Sequence, residues 1–416
     1  MTASLLPAPP RIVLGVLLPF ALGYMLSYLL RAVNAVVGPV LATEFSLSAG
    51  EMGLLTAAYL GAFAIFQLPL GVMLDRYGPR RIQAALLLIS ALGSLGFALS
   101  TSFPLLFLAR ALIGIGFAAG LMSSFKAIVM WVAVERRPFA NSCVMACGGL
   151  GILLASEPTQ ILLGVVGWRE VFGIFAAVTA AVAVLIYLVV PEKPQAASGS
   201  SVSVQFGQMA EILRSGPFWR AVPLLGLTAG IHIAVLTLWS GPWLRDVLHL
   251  SKDEVSRRLL WIAVAFIIGM LTTGVIADRL GRRGIGSMQV LLGCQLLYFA
   301  AQAVIVFQWL PGAMAAWMIV SGVGQTATLG FPWLQRFYPA SLAGRSNATL
   351  NFAMFVVAFC AQYGIGLIID LFPRSAAGYD PLAYRWALGL CLILQAGAFL
   401  WYLLAPIGRE APQAHG

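Results

Sequence analysis

The stretch GVMLDRYGPRR at residues 71–81 returns, altered but in step, as GVIADRLGRRG at residues 274–284. Gly71, Asp75, Arg76 and Gly78 stand 203 residues before Gly274, Asp278, Arg279 and Gly281, and each copy ends in a basic pair, Arg80 with Arg81 and Arg282 with Arg283. The same offset of 203 joins Gly38 and Pro39 to Gly241 and Pro242, and Leu47, Ser48 and Glu51 to Leu250, Ser251 and Glu254. Three separated features sharing one offset mark an internal duplication.

The chain around these copies is built for lipid. Of 416 residues, 60% are hydrophobic and 10% charged, whereas a soluble domain is nearer half apolar and a quarter charged. The apolar residues fall into runs of about 20, the length that crosses a hydrocarbon core. These predict helices near 12–41, 51–73, 82–100, 104–131, 140–165 and 170–190, then 219–247, 255–276, 285–308, 311–334, 345–371 and 384–405. The expected architecture is an all-α integral membrane protein of twelve transmembrane helices in two six-helix bundles, residues 1–190 and 218–416, joined by a cytoplasmic linker at 191–217. Six spans separate matched features, an even number, so the bundles have the same orientation and an axis along the membrane normal relates them.

Arg and Lys near the span ends set orientation. With both termini cytoplasmic, 14 fall on the inner side and seven on the outer. The first apolar stretch is longer than a signal-peptide core and is expected to remain as the first helix. A net charge of +10 raises nucleic acid as a partner, but the Arg residues punctuate spans rather than cover one face. The five cysteines lie inside apolar runs without metal-ligand spacing and read as packing residues.

The two copies resemble the loop signature of the major facilitator superfamily, in which a Gly, an Asp-Arg pair, a second Gly and basic residues join the second and third helices of each half. Helix count, loop positions and half-repeat extend the resemblance over essentially the whole chain. Glycine permits the tight turn, and an acid is favoured beside a helix N-terminus. The resemblance implies a gate in which Gly71, Asp75, Arg76, Gly78, Arg80 and Arg81, and Gly274, Asp278, Arg279, Gly281, Arg282 and Arg283, meet the start of the fifth or eleventh helix and stabilise an outward-open state. A purely orientation-setting basic loop is the other reading. The resemblance further implies a secondary transporter with no cofactor, driven by an ion gradient, whose monomer suffices. A fifth-helix segment CGGLGILLASEP (147–158) carries its Pro out of place for a drug–proton antiporter, and the second and eighth spans lack the central Arg of nitrate porters. Bacterial inner-membrane uptake members for organic anions or metabolites are the closest in pattern.

Charges within a span are costly and mark pathways. Tyr24, Ser27, Tyr28, Arg31 and Asn34 recur on one side of the first helix, and Arg31 favours a watery cavity over simple packing. Arg110 opens RALIGIGFAAG in the fourth span, at a depth similar to Glu157, with which an ion pair is expected, either structural or coupling. Lys126 either snorkels to headgroups or adds a second cation, biasing the pathway toward anions and zwitterions. His232, near the midplane of the seventh span, either bonds a neighbouring helix or carries a proton; Glu157 is the better proton carrier. Trp239, Trp243, Gln325, Thr326, Asn347, Asn351 and Gln362 complete the pathway candidates.

Phosphate-binding loops, HExxH and nucleophile–His arrangements are missing, so the expectation is a non-enzymatic transporter working by alternating access. Proton-coupled uptake of a small anionic or zwitterionic metabolite leads; drug efflux and a non-transporting sensor are the alternatives. The expected partners are a small-molecule substrate and the lipid bilayer.

Overall fold

A computed structural model describes residues 10–192, 202–309, 313–339, 342–375 and 378–405. Among them nearly all residues are helical. The first half comprises α1 (Pro10–Ala32), α2 (Asn34–Glu44), α3 (Ala49–Ala98), α4 (Phe103–Phe117), α5 (Gly120–Trp131), α6 (Arg137–Leu154), α7 (Glu157–Val165) and α8 (Trp168–Val189). A connecting α9 (Val202–Leu213) leads to α10 (Gly216–Ala234), α11 (Ser240–Leu248), α12 (Lys252–Gly281), α13 (Ser287–Val306), α14 (Ala313–Val323), α15 (Gly330–Gln335), α16 (Ala343–Ile369) and α17 (Pro381–Leu404). Strands β1 (Arg374–Ser375) and β2 (Gly378–Tyr379) form a small antiparallel hairpin before α17.

Among the described residues, nine helices are long and apolar enough to cross a membrane, or ten if the bent pair Phe139–Leu154 and Glu157–Val165 is one span. At 50 residues α3 is about twice the length a bilayer needs. Gly78 resolves the excess, because its φ of 78° takes the chain out of helical geometry inside the Asp-Arg loop. Both arms of α3 then run beside α4: a Cβ on Gly114 would lie 2.3 Å from the Tyr59 carbonyl oxygen, and one on Gly116 2.4 Å from Ser90.

The duplication seen in the sequence recurs in the fold. Ser48 and Glu51 form a capping box at the start of α3, and Ser251 and Glu254 form its counterpart at the start of α12. The second Asp-Arg loop departs from the first: Gly284, not Gly281, carries the positive φ, at 83°. Two helices lose α geometry in the second half, where Val235–Trp239 is a π segment and Gly324–Leu329 a 3₁₀ segment.

Early and late helices share one apolar core, running from Val16 to Cys391. They approach closely through small residues. Gly241 abuts the Ala35 carbonyl, Gly149 the Ile267 side chain, Gly61 the Phe359 ring and Gly366 the Ala49 carbonyl. Where α3 begins and α16 ends, Asp370 accepts hydrogen bonds from Ala49 N at 2.8 Å and Gly50 N at 2.7 Å. At the opposite end the same two helices, with α5, line a cavity of about 300 Å³, between Gly71, Asp75 and Lys126 on one side and Gly344, Arg345 and Ala348 on the other. The Asp370 contact thus joins the halves at one end, and a cavity lies between them at the other.

Candidate translocation site

The helical period of α1 places its polar residues in one column. Tyr24 donates to Tyr28 Oη at 3.3 Å, Ser27 and the Tyr59 hydroxyl bond at 3.0 Å, and Asn34 donates to Thr56 at 2.9 Å. Arg31 stands in the middle of that column, only 5% exposed. Its guanidinium carbon lies 4.6 Å from the Tyr28 ring centroid, 5.6 Å from Tyr59, and 5.0 Å from both Phe63 and Phe355. Phe355 belongs to α16, so the cage closes across the two halves of the chain.

Four rings stabilise a desolvated guanidinium through their quadrupoles but supply no negative charge. Among the described residues Arg31 forms no ion pair, and its Nε is buried without a hydrogen-bond partner. Arg110 is fully buried against the same Tyr59, 5.4 Å from its ring centroid. One of its nitrogens donates to the Arg31 carbonyl at 3.4 Å, while Nε and Nη1 find no partner. Two buried guanidiniums therefore flank one tyrosine without a carboxylate between them. An unpaired buried charge is expensive.

The second half brings a neutral polar set to the other side. His232 and Gln325 hydrogen-bond through their Nε2 atoms at 3.0 Å, and His232 Nδ1 has no partner. Its ring stacks on Phe266 at 6.3 Å, and Phe266 in turn lies 6.1 Å from Tyr28, linking the two sides. Trp239 donates to the Gln362 carbonyl at 3.1 Å, and Thr237 reaches the Gln362 side chain at 3.4 Å. Asn351 is half-buried on α16, one turn before Phe355.

Several sequence expectations fall elsewhere. Lys126 does not join Arg31; it donates to Asp75 at 2.8 Å and to the Leu74 carbonyl at 2.7 Å, inside the first loop motif. Arg110 and Glu157 do not pair. Arg110 turns toward α1, and Glu157 instead lies 3.7 Å from Arg257 of α12, because α7 bends away from α6 and presents its first residue to the second half. In the first loop Arg80 and Arg81 bind Glu192 at 3.6 and 2.5 Å, tying it to the end of α8. Asp278, Arg279, Arg282 and Arg283 are exposed, and Asp278 forms no ion pair among the described residues.

Tyr59, Phe63, Phe266 and Phe355 were not selected from sequence. Each is an uncharged aromatic inside an apolar run, and its role depends on a partner in a different helix. Tyr59 alone carried a signal, a hydroxyl that needs a partner once buried.

With this geometry in view, comparison with known proteins assigns the class. The sequence profile of the Major Facilitator Superfamily matches residues 20–361, so the chain belongs to that family. It is 22% identical over 299 residues to a probable sulfoacetate transporter of Cupriavidus necator, covering 69% of each protein. To a probable L-galactonate transporter of Escherichia coli it is 25% identical over 407 residues, covering 91% of this chain and 86% of that one. The crystal structure of a D-xylose–proton symporter superposes with a TM-score of 0.71 at 19% identity, over 96% of this chain and 99% of the other, a likeness of fold. The protein is accordingly a multi-pass membrane transporter and not an enzyme.

Proposed function

We propose that this transporter moves a small organic anion across a bacterial inner membrane by alternating access, in symport with protons. The observation that carries the reading is Arg31, a caged guanidinium without a counter-ion at the seam between the halves. Sulfoacetate and galactonate, the solutes named for two relatives, are both organic anions. Proton coupling agrees with the activity named for the xylose symporter of the same fold, and a monomer is sufficient for the cycle.

Twelve crossings follow if the bent pair Phe139–Leu154 and Glu157–Val165 is one span, α3 is divided at Gly78 and Ala313–Gln335 is counted as one irregular span. The bundles are then residues 1–190 and 218–416, with both termini and both Asp-Arg loops cytoplasmic. In that frame the cavity at Asp75 opens inward and the Asp370 contact closes the outside. Arg31 takes the anionic group, with Arg110 reinforcing the local potential. Tyr24, Tyr28 and Asn34 on one side, and His232, Trp239, Gln325 and Asn351 on the other, border the path. Glu157, released from Arg257 when the outer ends part, is the leading proton carrier, with His232 second.

The test is uptake into proteoliposomes of labelled sulfoacetate, galactonate, xylose and a lipophilic cation, with and without an inward proton gradient. Gradient-driven accumulation of the two anions supports the reading. Accumulation of xylose or the cation alone overturns the anion assignment, and outward movement of the anions overturns uptake.

A further inference from the structure

Above the sealed outer contact, a second charged space is formed by residues outside the central site. A cavity of about 500 Å³ lies between the two halves. Its floor includes Gly38, Met52, Leu238 and Trp239, and its charged lining is Glu44, Arg245, Lys252 and Arg374. Gly38, in α2, lies seven residues beyond Arg31, about 10 Å on by helical rise. The floor therefore separates this space from the aromatic cage by a thin layer.

The charges do not cancel. Glu44 is consumed within its own half: it accepts from Trp168 Nε1 at 2.6 Å and pairs with Arg169 at 2.6 Å. Burial pushes its carboxyl up, yet those two bonds outweigh it and hold the group below its ordinary value. Arg245 is matched by Asp246 at 2.6 Å, whose carboxylate is fully buried and also accepts from Tyr384 at 2.6 Å. Asp370 keeps its charge, since its partners Ala49 N, Gly50 N and, at 3.4 Å, the Tyr379 hydroxyl are neutral donors, and set against Lys252 and Arg374 it leaves one net positive charge. Lys252 and Arg374 remain. Arg374 is tethered to the Leu47 carbonyl at 3.2 Å and lies over Tyr379, contacts that leave its charge uncancelled. Lys252 is exposed, lines this cavity and the adjoining one, and has no hydrogen bond or ion pair among the described residues.

We infer that this vestibule is a capture site for small organic anions, in which Lys252 and Arg374 hold the solute above Trp239 before the Asp370 contact opens toward Arg31. The inference rests on the anion reading and orientation proposed above, and adds a second binding step to them. Lys252 is its adjustable element, because Arg374 also braces the closed end. A cleft whose lining carries a net positive charge raises the local concentration of anions.

The experiment places a single cysteine in the vestibule by Thr43→Cys, in a chain whose five native cysteines are replaced by alanine. Intact cells are treated with two impermeant methanethiosulfonates, one bearing a sulfonate and one a trimethylammonium, each rate normalised to reaction with free mercaptoethanol. The normalised sulfonate rate is expected to exceed the cationic one by roughly tenfold. Lys252→Gln is expected to shift each reagent's rate by about two- to threefold in opposite directions, lowering the ratio by roughly four- to ninefold, and Lys252→Arg to restore it. Millimolar sulfoacetate is expected to slow labelling by a neutral reagent unless Lys252 is replaced. A ratio indifferent to Lys252→Gln, or no protection by sulfoacetate, overturns the capture site. Labelling does not require transport, so failure of the anion reading registers separately in the uptake panel, and absence of labelling in intact cells overturns the proposed orientation.

Discussion

The carboxylate of Asp370 closes on the backbone nitrogen of Gly50 at 2.7 Å, with Ala49 N beside it at 2.8 Å, so the end of α16 caps the start of α3 across 320 residues of chain. An anion is favoured at a helix N-terminus by both the free amides and the dipole. One side chain thereby becomes a clasp between the halves, at a helix start whose remaining capping is supplied locally by Ser48.

Removing the clasp biases the protein toward the state open at that end. Asp370→Ala forfeits charge-assisted bonds worth about 1 to 2 kcal/mol in this exposed setting, a population shift of roughly fivefold to thirtyfold. Alkylation of an Ala49→Cys reporter by an impermeant maleimide is expected to quicken accordingly. An unchanged rate means that apolar packing alone holds this end shut.

Asp75 and Lys126 are predicted to be coupled, though modestly. Their side chains are 51% and 23% exposed, so a partly solvated pair worth about 0.5 to 1 kcal/mol is expected. A double-mutant cycle with Asp75→Asn and Lys126→Gln, read as thermal stability in detergent, measures that coupling directly. Additive effects remove the pair from the gate.

Close helix contacts make two glycines behave oppositely. A methyl at Gly114 meets the Tyr59 carbonyl at 2.3 Å, whereas one at Gly274 meets nothing within 4 Å. Gly114→Ala is expected to cost about 1 to 3 kcal/mol and to lower the unfolding temperature while disturbing the Tyr59 side of the Arg31 cage. Gly274→Ala is expected to leave stability unchanged. Equal behaviour of the two contradicts the packing described.

Proton coupling is tested by Glu157→Gln. Exchange of labelled for unlabelled anion is expected to persist while stimulation by a proton gradient is lost. Retained stimulation moves the coupling role to His232, where His232→Gln is then the deciding variant.

Much of this was written plainly in the chain. The stripe from Tyr24 to Asn34 follows from helical period, and the pairing of Ser48 and Glu51 with Ser251 and Glu254 from the repeat. Gly78 announces the turn inside α3 because a chain that doubles back needs a residue free to take positive φ. The rest depends on partners that spacing cannot name. Glu157 and Arg110 share a depth, but the bend between α6 and α7 turns one toward Arg257 and leaves the other beside Tyr59. Depth along a span says nothing of azimuth after a bend. Lys126 was legible as a charge near a headgroup, yet Asp75, 51 residues away, decides its direction. Phe355 looked like any aromatic in an apolar run until α16 was laid against α3.

On the proposed reading, Arg31 binds the anionic group of the solute. The most direct measurement is sulfoacetate uptake into proteoliposomes by Arg31→Gln and Arg31→Lys, beside the thermal unfolding of each variant. Loss of one charge-assisted contact predicts a fall in kcat/KM of about 100-fold for Arg31→Gln and a partial loss for Arg31→Lys, with folding intact. Wild-type uptake by Arg31→Gln, or loss of activity only through loss of folded protein, contradicts the account.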